Sequence, residues 1–157
     1  MKNTATEVRT VTSAEARNLL MVTAVKRQRP VFLWGPPGIG KSELVADIGQ
    51  ELNALVIDMR MALLDPTDVR GIGFYNPDSK TMEWAPPVDL PSAEEAAKYE
   101  YVILFLDEMN SAPPAVQATA YQLILNRRVG QYVLPDNVVI IAAGNRETDK
   151  GVTYRMP

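Results

Sequence analysis

Apolar positions along this chain change period several times, and each change marks an element. From Thr12 the sequence opens with Ser13, Ala14 and Glu15 behind a hydroxyl cap. Apolar positions at Ala16, Leu19, Leu20, Val22 and Val25 then predict a helix that ends in the basic stretch Lys26–Arg29 and is stopped by Pro30. Val31 to Trp34 is a short β-rich run, followed by a glycine-rich turn and a helical pattern with Leu44, Val45 and Ile48 on one face. Ala54 to Asp58 predicts a second strand, and the order strand, loop, helix, strand predicts a right-handed crossover in a parallel sheet. Tyr101 to Leu106 (YVILFL) and Val138 to Ala143 (VVIIAA) lack alternation, which marks strands covered on both faces. Between those two strands, Pro113 and Pro114 introduce a helix bearing Val116, Leu123 and Ile124, with Arg127 and Arg128 at its C-terminal end. The whole predicts an α/β fold, a three-layer α-β-α sandwich with a mainly parallel central sheet.

Residues 59–99 are less regular. GIGFYNPDSK predicts a β-hairpin, Trp84 to Pro91 (WAPPVDLP) a stiff surface loop anchored by a buried tryptophan, and Ser92 to Lys98 a short capped helix with an acidic first turn. A surface that meets a neighbouring subunit or a substrate is the alternative for the proline-rich loop.

Composition narrows the chemistry. A chain of 157 residues with 46% apolar content suits one domain, residues 1–157. A net charge of −3 offers no basic footprint for nucleic acid. Cysteine and histidine are absent, which removes thiolate chemistry and leaves carboxylates or lysine as the candidate general bases. No signal-type N-terminus and no apolar run of about 20 residues is present, so a cytoplasmic protein without a membrane span is expected.

The chemistry concentrates where the strands end. Gly35-Pro36-Pro37-Gly38-Ile39-Gly40-Lys41-Ser42 has the spacing of a phosphate-binding P-loop, lying between strand and helix as that motif requires. Its glycines let successive N–H groups turn inward around phosphates, and the following helix points its positive end at them. Lys41 is the candidate for the β- and γ-phosphates and Ser42 for Mg²⁺, with the following Glu43 grouped with the nucleotide-binding loop. In an open parallel sheet ligands gather at the carboxyl ends of strands. Asp107 there is a candidate second Mg²⁺ partner, Glu108 a candidate for holding the attacking water, and Asn145 a candidate water-orienting amide. A chance glycine turn, an acidic helix cap and an ordinary Gly-Asn turn are the bland readings of the same residues.

GPPGIGKS, DPTDVRG, VILFLDEMNSAPPAVQ and VIIAAGNRE together resemble the MoxR-like branch of the AAA+ ATPases, over most of the chain after the first thirty residues. The resemblance implies that Gly35–Ser42 is Walker A, that Leu104–Glu108 is Walker B with Glu108 catalytic, and that Asn145 is sensor 1. It further implies ATP and ADP as ligands, Mg²⁺ as cofactor, and a homo-oligomeric, usually hexameric ring acting on a client protein. The chain departs from the family pattern after TYRMP, where an arginine-finger stretch, a last core strand and a helical lid are expected. Arg146 and Arg155 match no finger motif. A truncated core with an open sheet edge, marginal stability and weak hydrolysis follows as an expectation, since such fingers contribute about 10³ to 10⁵ in rate. A small P-loop kinase and a nucleotide-binding interaction module with negligible turnover are the alternatives.

Overall fold

The computed structural model describes residues 10–36 and 38–145. Thr12 caps α1 (Ser13–Leu19) reciprocally: its hydroxyl accepts from the Glu15 N–H at 3.2 Å, and the Glu15 carboxylate accepts from the Thr12 N–H at 3.4 Å. The helix does not end there. It widens into a π-helical segment, Leu20–Lys26, which seats Leu20, Ala24 and Val25 against the sheet. Strand β1 (Val31–Trp34) leads through the glycine loop into α2 (Lys41–Glu51), and β2 (Leu55–Arg60) follows. After α3 (Pro66–Arg70) comes the expected hairpin, β3 (Ile72–Asn76) with β4 (Thr81–Ala85), then the short α4 (Ala93–Ala96) capped by the Ser92 hydroxyl. The remaining elements are β5 (Val102–Asp107), α5 (Pro114–Asn126), the two-residue strands β6 (Arg128–Val129) and β7 (Tyr132–Val133), and β8 (Val138–Gly144).

Four parallel strands form the central sheet in the order β1-β8-β5-β2, so β1 and β2 are its edges among the described residues. The last strand among the described residues, β8, lies between β1 and β5. Its register, Trp34 beside Gly144 and Leu106 beside Ala142, brings the ends of β1, β8 and β5 together. Alternate residues of β5 and β8 point to opposite faces, which explains their unbroken apolar runs. Ile103, Phe105, Val139 and Ile141 pack with Val45 and Ile48 of α2 and with the first helix, while Leu104, Leu106, Ile140 and Ala142 pack with Val116, Ala120 and Leu123 of α5. This is the three-layer α/β sandwich expected from the pattern.

Two local expectations change. Trp84 is not in a loop: it lies near the end of β4, half-buried, and its indole N–H donates to the Arg70 carbonyl at 3.0 Å. The proline-rich loop therefore starts at Pro86. Arg127 does more than end α5. In a left-handed conformation (φ 54°) it caps the helix, and its guanidinium donates to the carbonyls of Pro135 and Val138, both at 2.9 Å, whereas Arg128 is exposed. Among the described residues no helix is long and apolar enough to cross a membrane.

Candidate nucleotide site

Strand β1 ends as the chain enters a loop that no run of ordinary residues could follow. Gly38 and Gly40 have φ of +82° and +89°, in the left-handed region where a Cβ is strained, and beyond its chain neighbours no residue comes within 4 Å of where a Gly38 Cβ would stand. The loop is thus open on the side that a ligand would approach. Lys41, first residue of α2, turns back beneath it. Its ammonium donates to the Gly35 carbonyl at 2.5 Å, to the Gly144 carbonyl at 3.2 Å and to Asn145 Oδ1 at 3.2 Å, joining the loop to the end of β8.

The next residue faces β5. Ser42 Oγ donates to Asp107 Oδ2 at 3.2 Å, and the other oxygen, Oδ1, accepts the Glu108 N–H at 2.8 Å. Glu108 has φ 55° and ψ 38°, a left-handed conformation unusual for a residue with a side chain, and it opens a 3₁₀ turn, Met109–Ser111. Asn145 is half-buried just past the end of β8. A cleft of about 240 Å³ is lined by Gly38, Gly40, Lys41, Ser42, Glu43, Asp107, Glu108 and Asn145. Three strand ends therefore meet in one cavity, and of the expected site residues that the structure describes, only Gly35, Pro36 and Ile39 are not on its wall. Pro37, Arg146 and Arg155 lie outside the described residues.

Electrostatics favour an anion held by a cation-assisted cradle. Lys41, Ser42 and Glu43, the first turn of α2, line the cleft with its positive helix end, and Asp107, which accepts from Ser42, lines it as well. Asp58 on β2 adds negative charge nearby. Burial, the Asp107 carboxylate and, in the opposite sense, the Arg60 guanidinium leave its carboxyl above the usual 3.8. Among the described residues no group of three or more His, Cys, Asp or Glu forms a metal cage. Ser42 with Asp107 instead offers the sparse donor set that suits Mg²⁺, an ion that completes its shell with water and phosphate.

A second cleft of about 290 Å³ was not legible in the sequence. It shares Gly40, Lys41 and Glu43 with the first, and Val11, Ala16, Leu33, Ile39 and Leu44 supply apolar wall. The N-terminal segment reaches it because α1 packs beside α2, tied by the Arg17–Glu51 ion pair. Asn110 also gave no sign of its role; it is 2% exposed and its amide meets the backbone of Asn145. An asparagine in a turn carries no sequence signal for this.

Comparison with known proteins agrees with this fold. The family model of the AAA domain (dynein-related subfamily) matches residues 30–154. Midasin of Giardia intestinalis is 32% identical over 106 residues, 67% of this chain and 2% of midasin. A provisionally assigned ATPase of Cytophaga hutchinsonii ATCC 33406 superposes with a TM-score of 0.59 at 19% identity, over 92% of this chain and 41% of that one. A point variant of Thermotoga maritima RuvB gives 0.54 at 21% identity, over 85% and 38%. The chain thus spans a small part of midasin and about two fifths of these structures, whose likeness is one of fold.

Proposed function

Since this chain belongs to the AAA domain family, dynein-related subfamily, a family of ATPase type, we propose that it binds Mg-ATP in the cleft at the strand ends and hydrolyses it. The observation that carries this reading is the convergence of Lys41, Ser42, Asp107, Glu108 and Asn145, from three separated stretches of sequence, on one cavity. In the proposed complex the N–H groups of Gly38, Gly40, Lys41 and Ser42 and the Lys41 ammonium bind the phosphates, and Glu43 stands at the same wall. The second cleft takes the base and ribose against Val11, Ile39 and Leu44. Ser42 and Asp107 would hold Mg²⁺, which when bound offsets phosphate charge. Glu108 accepts a proton from the water that attacks the γ-phosphorus, Asn145 orients that water, and the bond from phosphorus to the bridging oxygen of ADP breaks.

The finer assignment is to the MoxR-like branch, with turnover in a homo-oligomeric ring coupled to remodelling or maturation of a client protein in the cytoplasm. The motif series from GPPGIGKS to VIIAAGNRE supports it. Glu108→Gln tests the hydrolytic step. With protein in excess over ATP, so that slow turnover is still counted, the variant should bind ATP as the parent does and release phosphate about 10² to 10⁴ times more slowly. Parental turnover in Glu108→Gln would remove the proposed role.

A further inference from the structure

Glu108 and Asn145 stand at the ends of different strands, yet hydrolysis as proposed requires both to act on one water. What fixes their mutual placement is a third residue. Asn110 lies two positions after Glu108 in the same 3₁₀ turn, which is closed by the Ser111 N–H donating to the Glu108 carbonyl at 3.1 Å. Its side chain is buried against the end of β8. There Asn110 Oδ1 accepts the Asn145 N–H at 3.0 Å, and Asn110 Nδ2 donates to the Asn145 carbonyl. The amide reproduces the donor and acceptor pair of a neighbouring strand, so it continues the ladder of β8 past the sheet. Only one orientation of the amide makes both bonds, and among side chains of this length only a primary amide can make them together.

We propose that Asn110 is a positioning residue that locks Asn145 to the Glu108 turn, so that the Asn145 side chain keeps its place beside Lys41 and the reacting water. The lock acts through the backbone of Asn145 while leaving its side-chain Oδ1 to the Lys41 ammonium, 3.2 Å away. Its place outside the cleft wall predicts an effect on turnover rather than on nucleotide affinity. The inference rests on the hydrolytic reading of this site, but the lock itself can be observed without hydrolysis.

The test uses the full chain with Asn110→Ala, Asn145→Ala and both together. Phosphate release at saturating ATP should fall about 10- to 100-fold in Asn110→Ala, as for other residues that orient a reacting group. ATP affinity should stay within about twofold. In the Asn145→Ala background the further loss on removing Asn110 should shrink to about twofold, because its only route to the reaction is gone. Independent losses that multiply, or a normal rate in Asn110→Ala, would overturn the proposal. Amide hydrogen exchange supplies the second arm: the Asn145 N–H should exchange about tenfold or more faster in Asn110→Ala, with Ile140 and Ile141 unchanged. Unchanged exchange at Asn145 would likewise overturn it. Asn110→Leu keeps the length and volume of the side chain but removes both the donor and the acceptor that hold the Asn145 backbone, so it carries the same predictions if the alanine variant does not fold. Should the parent chain turn over no ATP, the hydrolytic reading fails and the exchange arm alone decides the lock.

Discussion

Replacing Gly144 by alanine puts a methyl group into the seam between β8 and the Glu108 turn. The added Cβ would lie 2.7 Å from Asn110 Oδ1, 3.2 Å from Asn110 Cγ and 3.1 Å from the Phe32 ring tip. The phenyl ring can yield by a few tenths of an ångström. Asn110 cannot, because it is buried and moving it breaks both of its bonds to the Asn145 backbone. Overpacking of this kind costs about 1–3 kcal/mol, and each buried polar group left without a partner costs a similar amount. Since the chain relaxes toward the cheaper of these outcomes, we expect a net loss of about 1–3 kcal/mol. With a urea m-value of about 2 kcal/mol/M, the unfolding midpoint should fall by about 0.5–1.5 M. Gly73→Ala is the matched control: its Cβ would stand 3.6 Å from the Trp84 ring, an ordinary contact, and the strand should gain slightly. A Gly144→Ala midpoint within about 0.25 M of the parent's would mean that the seam is not packed as described.

Two further predictions concern regions away from the cleft wall. Gly130, in the turn between β6 and β7, has φ +56° and its Cβ would meet Trp84 Cζ2 at 2.7 Å. Gly130→Ala should therefore cost about 1–3 kcal/mol by denaturant unfolding and change Trp84 fluorescence; no change in either would refute the contact between the two hairpins. Asp58 holds its proton more tightly folded than unfolded, so its protonated form stabilises the fold fully below pH 3.8, and that stabilisation is lost as pH rises through its higher folded value. Asp58→Asn should consequently raise Tm at pH 7 in metal-free buffer, and its advantage should vanish below pH 3.8. A lower Tm at pH 7 would reverse the assigned interaction with Asp107.

How much of this fold and site is legible in the sequence depends on how locally each feature is encoded. YVILFL declares β5 because burial on both faces removes every polar position, and the spacing of Gly35, Gly38, Gly40 and Lys41 declares the loop because its backbone geometry restricts the residues allowed. The capping box at Thr12 and Glu15 is equally local. By contrast, the wall at Val11 and Ala16 depends on α1 packing beside α2, and β6 and β7 are two residues each, too short to show a period. Trp84 reads as part of a loop because the prolines that follow it signal one, while its strand partner Gly73 lies across the hairpin. Asn110 after Asp-Glu looks like turn chemistry, and its partner is 35 residues distant. The sheet order, which sets β8 between β1 and β5, is likewise a long-range fact.

Equilibrium binding of a fluorescent ATP analogue with Mg²⁺, to the parent chain and to Lys41→Ala, tests the central claim most directly. Lys41 joins the loop to the end of β8 and faces the cleft, so its loss should weaken binding at least about tenfold, as removal of a charge-assisted contact of about 1.5–3 kcal/mol requires. Saturable binding by the parent that is lost in a folded Lys41→Ala is the predicted result. Equal affinity in the two proteins, or no binding to a folded parent, would contradict a nucleotide site at these strand ends.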